Sequence, residues 1–265
     1  MSTATTTHAA GAEAPARTDS RVLRALLRSE TILFRREPAA IFWIMCFPTL
    51  LLVVLGSIPS SRDRSGDLAG ISLVEAYVPV SVLLSLIVAG IQGLPGGVTT
   101  YRERGILRRI GTTPVRPRTV LGVQMTIFGA AALVSVVLSL LVGRLAFGAP
   151  LPRQPGGYVL ALVLAGAAAL ALGALVAALS RTARVAQAIG TAGMFPMMFC
   201  AGVWIPVQAM PDTLADVVGY TPFGAAARAL GQAAAGDWPS WTHLGVLLLW
   251  TAVFGRAAVR WFRWE

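Results

Sequence analysis

Long apolar stretches separated by short polar segments dominate the pattern of this chain. A helix needs about 20 apolar residues to cross the roughly 30 Å hydrocarbon core of a bilayer. The stretches that reach this length are residues 39–59, 74–100, 119–143, 157–179, 185–207 and 241–259. The pattern therefore predicts an all-α membrane protein with six transmembrane helices. The Thr/Ala-rich residues 1–19 are predicted to form a disordered tail, and residues 20–265 to form a single membrane domain.

The segment Ser20–Pro38, before the first span, combines leucines at three- and four-residue steps with many arginines. This spacing predicts an amphipathic helix that lies in the plane of the lipid headgroups. An ordinary solvated helix that precedes the first span is the alternative. The arginines expected on its polar face are Arg24, Arg28, Arg35 and Arg36.

Two further segments have distinctive patterns. The fourth span repeats a small residue at every fourth position, which favours close packing against a neighbouring helix; the stripe consists of Gly157, Ala161, Ala165, Ala169, Gly173 and Ala177. The stretch Gln208–Ser240 is too polar to span and too apolar for a simple loop, so it predicts two short half-inserted helices.

The fifth span carries a bulky run of methionine and phenylalanine. Such side chains can repack around varied apolar ligands, which makes them candidates for lining a substrate pathway. Plain packing within the bundle is the alternative. The residues are Met194, Phe195, Met197, Met198 and Phe199.

Composition supports a membrane protein, since 55% of the residues are hydrophobic and only 13% are charged, whereas soluble domains carry about 25%. The net charge is +10, and all 22 basic residues are arginine. Without lysine, neither a P-loop nor a Schiff-base mechanism is possible on this chain. In so apolar a chain, the basic excess indicates positive-inside topology and anionic lipid rather than nucleic acid. The side of the bilayer that carries 17 of the 22 arginines is predicted to be cytoplasmic, together with both termini.

Groups that could perform chemistry are scarce. The spans hold almost no ionisable residue at mid-membrane, which argues against a proton- or ion-coupled carrier. Cys46 and Cys200 lie in apolar runs, His8 and His243 are isolated, and the HExxH and GxSxG motifs are absent. The chain is therefore predicted to hold no metal, cofactor or catalytic site, and any transport it performs must take its energy from another protein.

The charged island Tyr101–Arg118, between the second and third spans, is the best candidate for contact with such a protein. Its apolar residues at positions 106, 107 and 110 would form one face of a short helix, and arginines another. A short amphipathic helix of this kind can dock into a groove on a partner, and Glu103 could pair with a partner arginine. The alternative is a stop-transfer loop that holds anionic headgroups.

Three stretches carry a family resemblance. YRERGILRRIGTTPVRP resembles the cytoplasmic loop that follows the second span in type-2 ABC exporter permeases. The daunorubicin-resistance group of that family is the most similar. Residues 200–230, CAGVWIPVQAMPDTLADVVGYTPFGAAARAL, are similar to the family's stretch after the fifth span, and residues 36–52, REPAAIFWIMCFPTLLL, resemble its entrance to the first span.

The resemblance implies a half-transporter in the cell membrane. Two permease copies, identical or homologous, would form the pathway for a drug, lipid or glycan. Two copies of a separate ATPase would carry ATP and Mg. Ser20–Pro38 would be the interfacial connecting helix, and Gln208–Ser240 an outward re-entrant hairpin. The coupling helix, which transmits nucleotide-driven motion, would consist of Glu103, Arg104, Gly105, Ile106, Leu107, Arg108, Arg109 and Ile110.

Two other functions are compatible with the residues. A membrane scaffold or regulator would use the basic loop to bind a cytoplasmic partner and would move no solute. A membrane enzyme would have to rely on His243 or on the polar span residues Gln92, Gln124 and Gln187.

Overall fold

The computed structural model describes residues 20–64, 70–106 and 117–261, so the predicted tail at residues 1–19 lies outside the described residues. Apart from one bridge between Arg64 and Ser72, the regular structure in these ranges is helical. The helices are α1 (Ser20–Arg35), α2 (Pro38–Gly56), α3 (Leu73–Glu103), α4 (Pro117–Phe147), α5 (Pro155–Leu179), α6 (Ala183–Cys200), α7 (Asp212–Gly219), α8 (Pro222–Ala235) and α9 (Trp241–Trp261).

Within the described ranges, five helices are long and apolar enough to cross a membrane: α2, α3, α4, α5 and α9. The predicted fifth span corresponds to α6, which ends at Cys200 rather than at the expected Val207. The chain turns there because Gly202 adopts a left-handed conformation, with φ of +85°. Its 18 residues cover about 27 Å at 1.5 Å per residue, slightly less than the hydrocarbon core.

Helix α3 is the centre of the bundle, and its most apolar 18-residue stretch is 94% buried. It packs most closely against α5, where a Cβ added to Gly173 would lie 2.0 Å from the carbonyl oxygen of Gly90. A Cβ added to Gly90 would lie 2.4 Å from the carbonyl oxygen of Ala169. All six members of the predicted small-residue stripe on α5 are buried, which confirms that the stripe serves close packing.

Two π-helical turns interrupt the central helices, Phe42–Cys46 in α2 and Val88–Gly93 in α3. Each turn comes just before a proline, Pro48 or Pro95, which has no N–H to continue the α-helical hydrogen bonding. The two turns are neighbours, since a Cβ added to Gly93 would lie 3.3 Å from Cδ1 of Ile44. Irregular backbone from two helices therefore meets inside the bundle.

Two short helices, α7 and α8, lie between α6 and α9. The Thr221 hydroxyl caps α8 by accepting a hydrogen bond from the Gly224 N–H at 3.1 Å. Phe223 and Leu230 are fully buried, and α8 packs against α5 and α9. This pair therefore belongs to the folded bundle.

Helix α1 packs against α4, with the rings of Phe34 and Phe128 edge to face at 5.6 Å. At this end of the bundle α1, α3, α5 and α9 end, while α2, α4 and α6 begin; we call it the basic end. The arginines predicted for the polar face of α1 are all exposed here: Arg24, Arg28, Arg35 and Arg36.

Candidate functional site

Two adjoining cavities lie between α1, α2, α3, α4 and α6. The first, which we call the polar cavity, has a volume of about 580 Å³ and lies toward the basic end. Its wall includes two carboxylates, Glu30 and Glu37, together with Arg104, Tyr101 and Gln124. The second, which we call the apolar cavity, has a volume of about 540 Å³. It is lined mainly by aromatic, aliphatic and methionine side chains, among them Trp43, Phe47, Val88, Met198 and Trp204.

The two cavities share part of their walls, namely Ala40, Gln92, Gly93 and Gln187. Gln187 Nε2 donates a hydrogen bond to Gln92 Oε1 at 2.7 Å, and Gln92 Nε2 donates to the Thr191 hydroxyl at 3.3 Å. This amide pair joins α3 to α6 at the boundary between polar and apolar surroundings. Gln92 belongs to the π-helical turn of α3, so local irregularity of the backbone accompanies the boundary.

Gln124 supplies a hydrogen-bond acceptor to the wall of the polar cavity. The residue is 4% exposed, and its Oε1 has no hydrogen-bond partner within the described part of the chain. Buried polar atoms are nearly always paired in folded proteins. An orphaned carbonyl oxygen beside a cavity is therefore available to a water molecule or to a hydrogen-bond donor on a ligand.

The five residues predicted to line a pathway separate into two groups. Met194, Phe195 and Met198 line the apolar cavity. Met197 and Phe199 are partly buried and pack against the hydrophobic core. The split follows from the helix, because residues three and four positions apart share one face and the residues between them point elsewhere.

The end of α3 at the basic end is attached to three other helices. The Tyr101 hydroxyl donates to Glu30 Oε1 of α1 at 2.5 Å. Arg102 Nη1 donates to the carbonyl oxygens of Ala177 and Ser180, at 3.2 and 2.6 Å, and so caps the end of α5. The Ala183 N–H at the start of α6 donates to Glu103 Oε1 at 2.9 Å. Any displacement of this end of α3 therefore acts on α1, α5 and α6 together.

The structure describes only the first four residues of the predicted coupling helix, Glu103–Ile106. Glu103 is the last residue of α3, and Arg104 and Gly105 form a turn in which Gly105 has φ of +65°. No separate helix begins at Glu103, because the left-handed glycine interrupts the helical hydrogen bonding. Arg104 and Ile106 line the polar cavity. Leu107, Arg108, Arg109 and Ile110 lie outside the described residues.

Several residues of this site were not anticipated as a group. Gln92, Gln124 and Gln187 stand out in the sequence as polar residues within apolar runs. Three separate helices bring them to the cavities. The Tyr101–Glu30 contact and the wall residue Trp204 carry no recognisable motif, so nothing in the sequence separates them from other aromatic and acidic residues near span ends.

A helical bundle with internal cavities, in which the described residues form five membrane-length helices, defines a multi-pass helical membrane protein. Comparison with protein families is more specific, since the description "ABC-2 family transporter protein" matches residues 66–260. The chain belongs to this family, and it is a membrane-embedded transport subunit of the kind that normally works with an ABC ATPase. No curated protein matches the chain significantly.

Proposed function

We propose that this chain is the permease subunit of an ATP-driven exporter and that it moves an amphipathic substrate. The observation that carries the proposal is the direct contact between a polar and an apolar cavity at the Gln92–Gln187 pair. A substrate with a polar head and an apolar body would satisfy both walls at once, whereas a purely polar solute would leave the aromatic wall unused. The aromatic and methionine lining suits a ring system or an acyl chain, so drugs and lipids fit better than glycans.

In this proposal the chain crosses the cell membrane six times, with α6 as the additional span. The arginine distribution supports a cytoplasmic basic end with both termini on that side. Helix α1 then lies in the headgroup plane, and α7 and α8 form a re-entrant hairpin on the outer side. Cysteines introduced by Arg184→Cys and Gln208→Cys, in a background without Cys46 and Cys200, should react with an impermeant maleimide from opposite sides. Reaction of both from the same side would exclude α6 as a span.

Two copies of an ATPase, which carry the ATP and Mg, are proposed to dock at the basic end. The attachments of Tyr101, Arg102 and Glu103 support this site, because they connect the docking segment to α1, α5 and α6. Motion imposed there would pass along α3 to Gln92 at the boundary of the cavities. Hydrolysis is expected on the partner, and the daunorubicin-resistance-like group is the proposed subfamily.

The permease is also proposed to act as a pair, with a second copy or a homologous permease. Helix α6 supports this idea, since its exposed side includes Gln187, Ala188 and Thr191. Ala188 and Ala192 lie four residues apart on this side, and small residues at that spacing let two helices approach closely. A partner permease would cover it.

The test is efflux from vesicles that contain the permease and its ATPase, with ATP hydrolysis measured in the same samples. We expect Glu103→Arg and Arg104→Glu to lower the amount of substrate moved per ATP while membrane insertion stays normal. Arg144→Glu, at an exposed arginine of the opposite end, is the matched control. Absence of any efflux from the wild-type pair, with the ATPase still bound, would favour a scaffold. Unchanged coupling in both variants would contradict the docking site.

A further inference from the structure

A third cavity, of about 280 Å³, lies at the end of the bundle opposite the basic end. Its wall is formed by Arg64 and residues 70–71 before α3, the start of α3, the loop before α5, the first turn of α5, Gln208 and one side of α8. Small-molecule sites usually begin at about 300 Å³, so this space suits a small group rather than a drug. It is separate from the polar and apolar cavities and shares no wall residue with them.

Tyr158 is the most unusual residue of this wall. It is 4% exposed, and its hydroxyl group has no hydrogen-bond partner among the described residues. Side chains on a helix lean toward its N-terminus, which in α5 is the end that faces this cavity. A buried hydroxyl without a partner costs free energy. That cost is recovered when a ligand in the cavity accepts its hydrogen bond.

The charges around the cavity favour an anion. Arg64 pairs with Glu75 at 3.3 Å, whereas the guanidinium of Arg153 has no ion pair within the described part of the chain. The amide nitrogen of Gln208 lies over Gly231, 3.4 Å from the position of an added Cβ. Arg153, Tyr158 and Gln208 therefore offer three kinds of hydrogen-bond donor to one small space. A guanidinium fork with neighbouring donors matches the oxygens of a phosphate group.

The position of the cavity points to the headgroup layer. A Cβ added to Gly156, two residues before Tyr158, would lie 3.8 Å from the ring of Trp238. The ring centroid of Trp238 is 6.2 Å from that of Trp241 at the start of α9. Tryptophans gather where the hydrocarbon core meets the headgroups. Phosphate esters of lipids are concentrated at that level.

We propose that this cavity binds the phosphate group of a phosphate ester, donated by a lipid headgroup or by a soluble ester. Arg153 and Tyr158 hold the phosphate oxygens, and Gln208 donates a further hydrogen bond. The apolar side chains of Pro79, Pro150 and Pro152 contact the glycerol part. This inference does not rest on the transport activity.

The test uses the full chain in a phosphate-free maltoside detergent. Its thermal unfolding is followed as phosphatidylglycerol, diacylglycerol with the same acyl chains, glycerol 3-phosphate or glycerol is added. We expect the phosphate-bearing member of at least one pair to stabilise the protein. The dissociation constant should rise about fivefold in Tyr158→Phe and about tenfold in Arg153→Gln. Tyr220→Phe and Arg144→Gln change an exposed tyrosine and arginine outside the cavity and should bind as the wild type does.

The lipid pair, phosphatidylglycerol and diacylglycerol, and the soluble pair, glycerol 3-phosphate and glycerol, together identify the source of the phosphate. Stabilisation by phosphatidylglycerol alone assigns a lipid, and stabilisation by glycerol 3-phosphate assigns a soluble ester. Arg153→Lys keeps the charge and should restore part of the binding, which covers the case in which Arg153→Gln folds poorly. Equal affinities in Tyr158→Phe, Arg153→Gln and the control variants would overturn the proposal. So would equal stabilisation by the two members of both pairs, diacylglycerol with phosphatidylglycerol and glycerol with glycerol 3-phosphate.

Discussion

Glu103 has two roles, one as a hydrogen-bond acceptor at the start of α6 and one in the proposed contact with the ATPase, and substitutions can separate them. One oxygen accepts the Ala183 N–H at the start of α6, where the positive end of the helix dipole favours a negative charge. The same residue lies in the segment proposed to meet the ATPase. A neutral amide at this position can still accept the hydrogen bond but cannot form an ion pair with a partner arginine.

Glu103→Gln should therefore keep most of the thermal stability of the permease while lowering the transport-to-hydrolysis ratio. Glu103→Ala should lose both, with a decrease in unfolding free energy of about 1 kcal/mol, because the N–H of Ala183 loses its acceptor. Unfolding of the detergent-solubilised permease measures the stability, and efflux from vesicles together with ATP hydrolysis measures the coupling. If Glu103→Gln transported normally, the residue would serve α6 alone.

Gln124 and Gln187 provide a second comparison between single residues. Gln187 donates a hydrogen bond to Gln92, whereas the Oε1 of Gln124 has no partner among the described residues. Replacement of Gln124 by the similarly sized methionine removes an unsatisfied acceptor, so Gln124→Met should leave the unfolding temperature unchanged or raise it. Gln187→Met leaves Gln92 without its donor and should lower the unfolding free energy by about 1 kcal/mol.

Efflux measurements should separate the effect of Gln124→Met on transport from its effect on stability. Gln124→Met should move a substrate with a hydrogen-bond donor several-fold more slowly, despite its unchanged stability, since the acceptor in the polar cavity is gone. A substrate that lacks the donor is the control and should move at the wild-type rate. Equal rates for both substrates would show that Gln124 does not form a hydrogen bond with the polar head of the substrate.

At the scale of helices, the contact between α3 and α5 is very close, so substitutions there test the packing of the bundle. A methyl group on Gly173 would meet the carbonyl oxygen of Gly90 at 2.0 Å, and a backbone atom cannot move aside as a flexible side chain can. Gly173→Ala should therefore lower the unfolding free energy by about 3 kcal/mol, at the upper end of overpacking costs. Gly166→Ala on the same helix, where the nearest atom is 3.6 Å away, should change it by less than about 1 kcal/mol. Equal losses would contradict the close approach.

The α5 stripe was predictable because its four-residue period is local and needs no knowledge of the partner helix. The end of α6 was not, because the turn at Gly202 is followed by residues as apolar as the span itself. The cavities were also beyond the sequence. Gln92, Gln124 and Gln187 belong to α3, α4 and α6, and only the packing of those helices places them in shared walls.

At the scale of the whole molecule, the exposed faces of α4 and α6 carry different side chains, and this difference bears on how the permease assembles. Helix α4 exposes the apolar residues expected against lipid, with Leu133, Val137 and Leu141 each about half exposed. Helix α6 instead exposes the small residues Ala188 and Ala192 among larger apolar ones, Val185, Ile189 and Phe195. The same bundle therefore has one surface of large apolar side chains and another on which small residues leave room for a neighbouring helix.

If a second copy of the permease covers the α6 face, a cysteine introduced by Ala188→Cys should form a disulfide-linked dimer in native membranes under mild oxidation. The background lacks Cys46 and Cys200, so that no other disulfide can form in this chain. Val137→Cys on α4 is the matched control and should stay monomeric, because lipid separates that face from its neighbours. Dimer formation only when a homologous permease with a cysteine on the same face is co-expressed would identify a mixed pair. Equal cross-linking at both positions, or none at Ala188→Cys with either partner, would show that α6 does not form the contact between permeases.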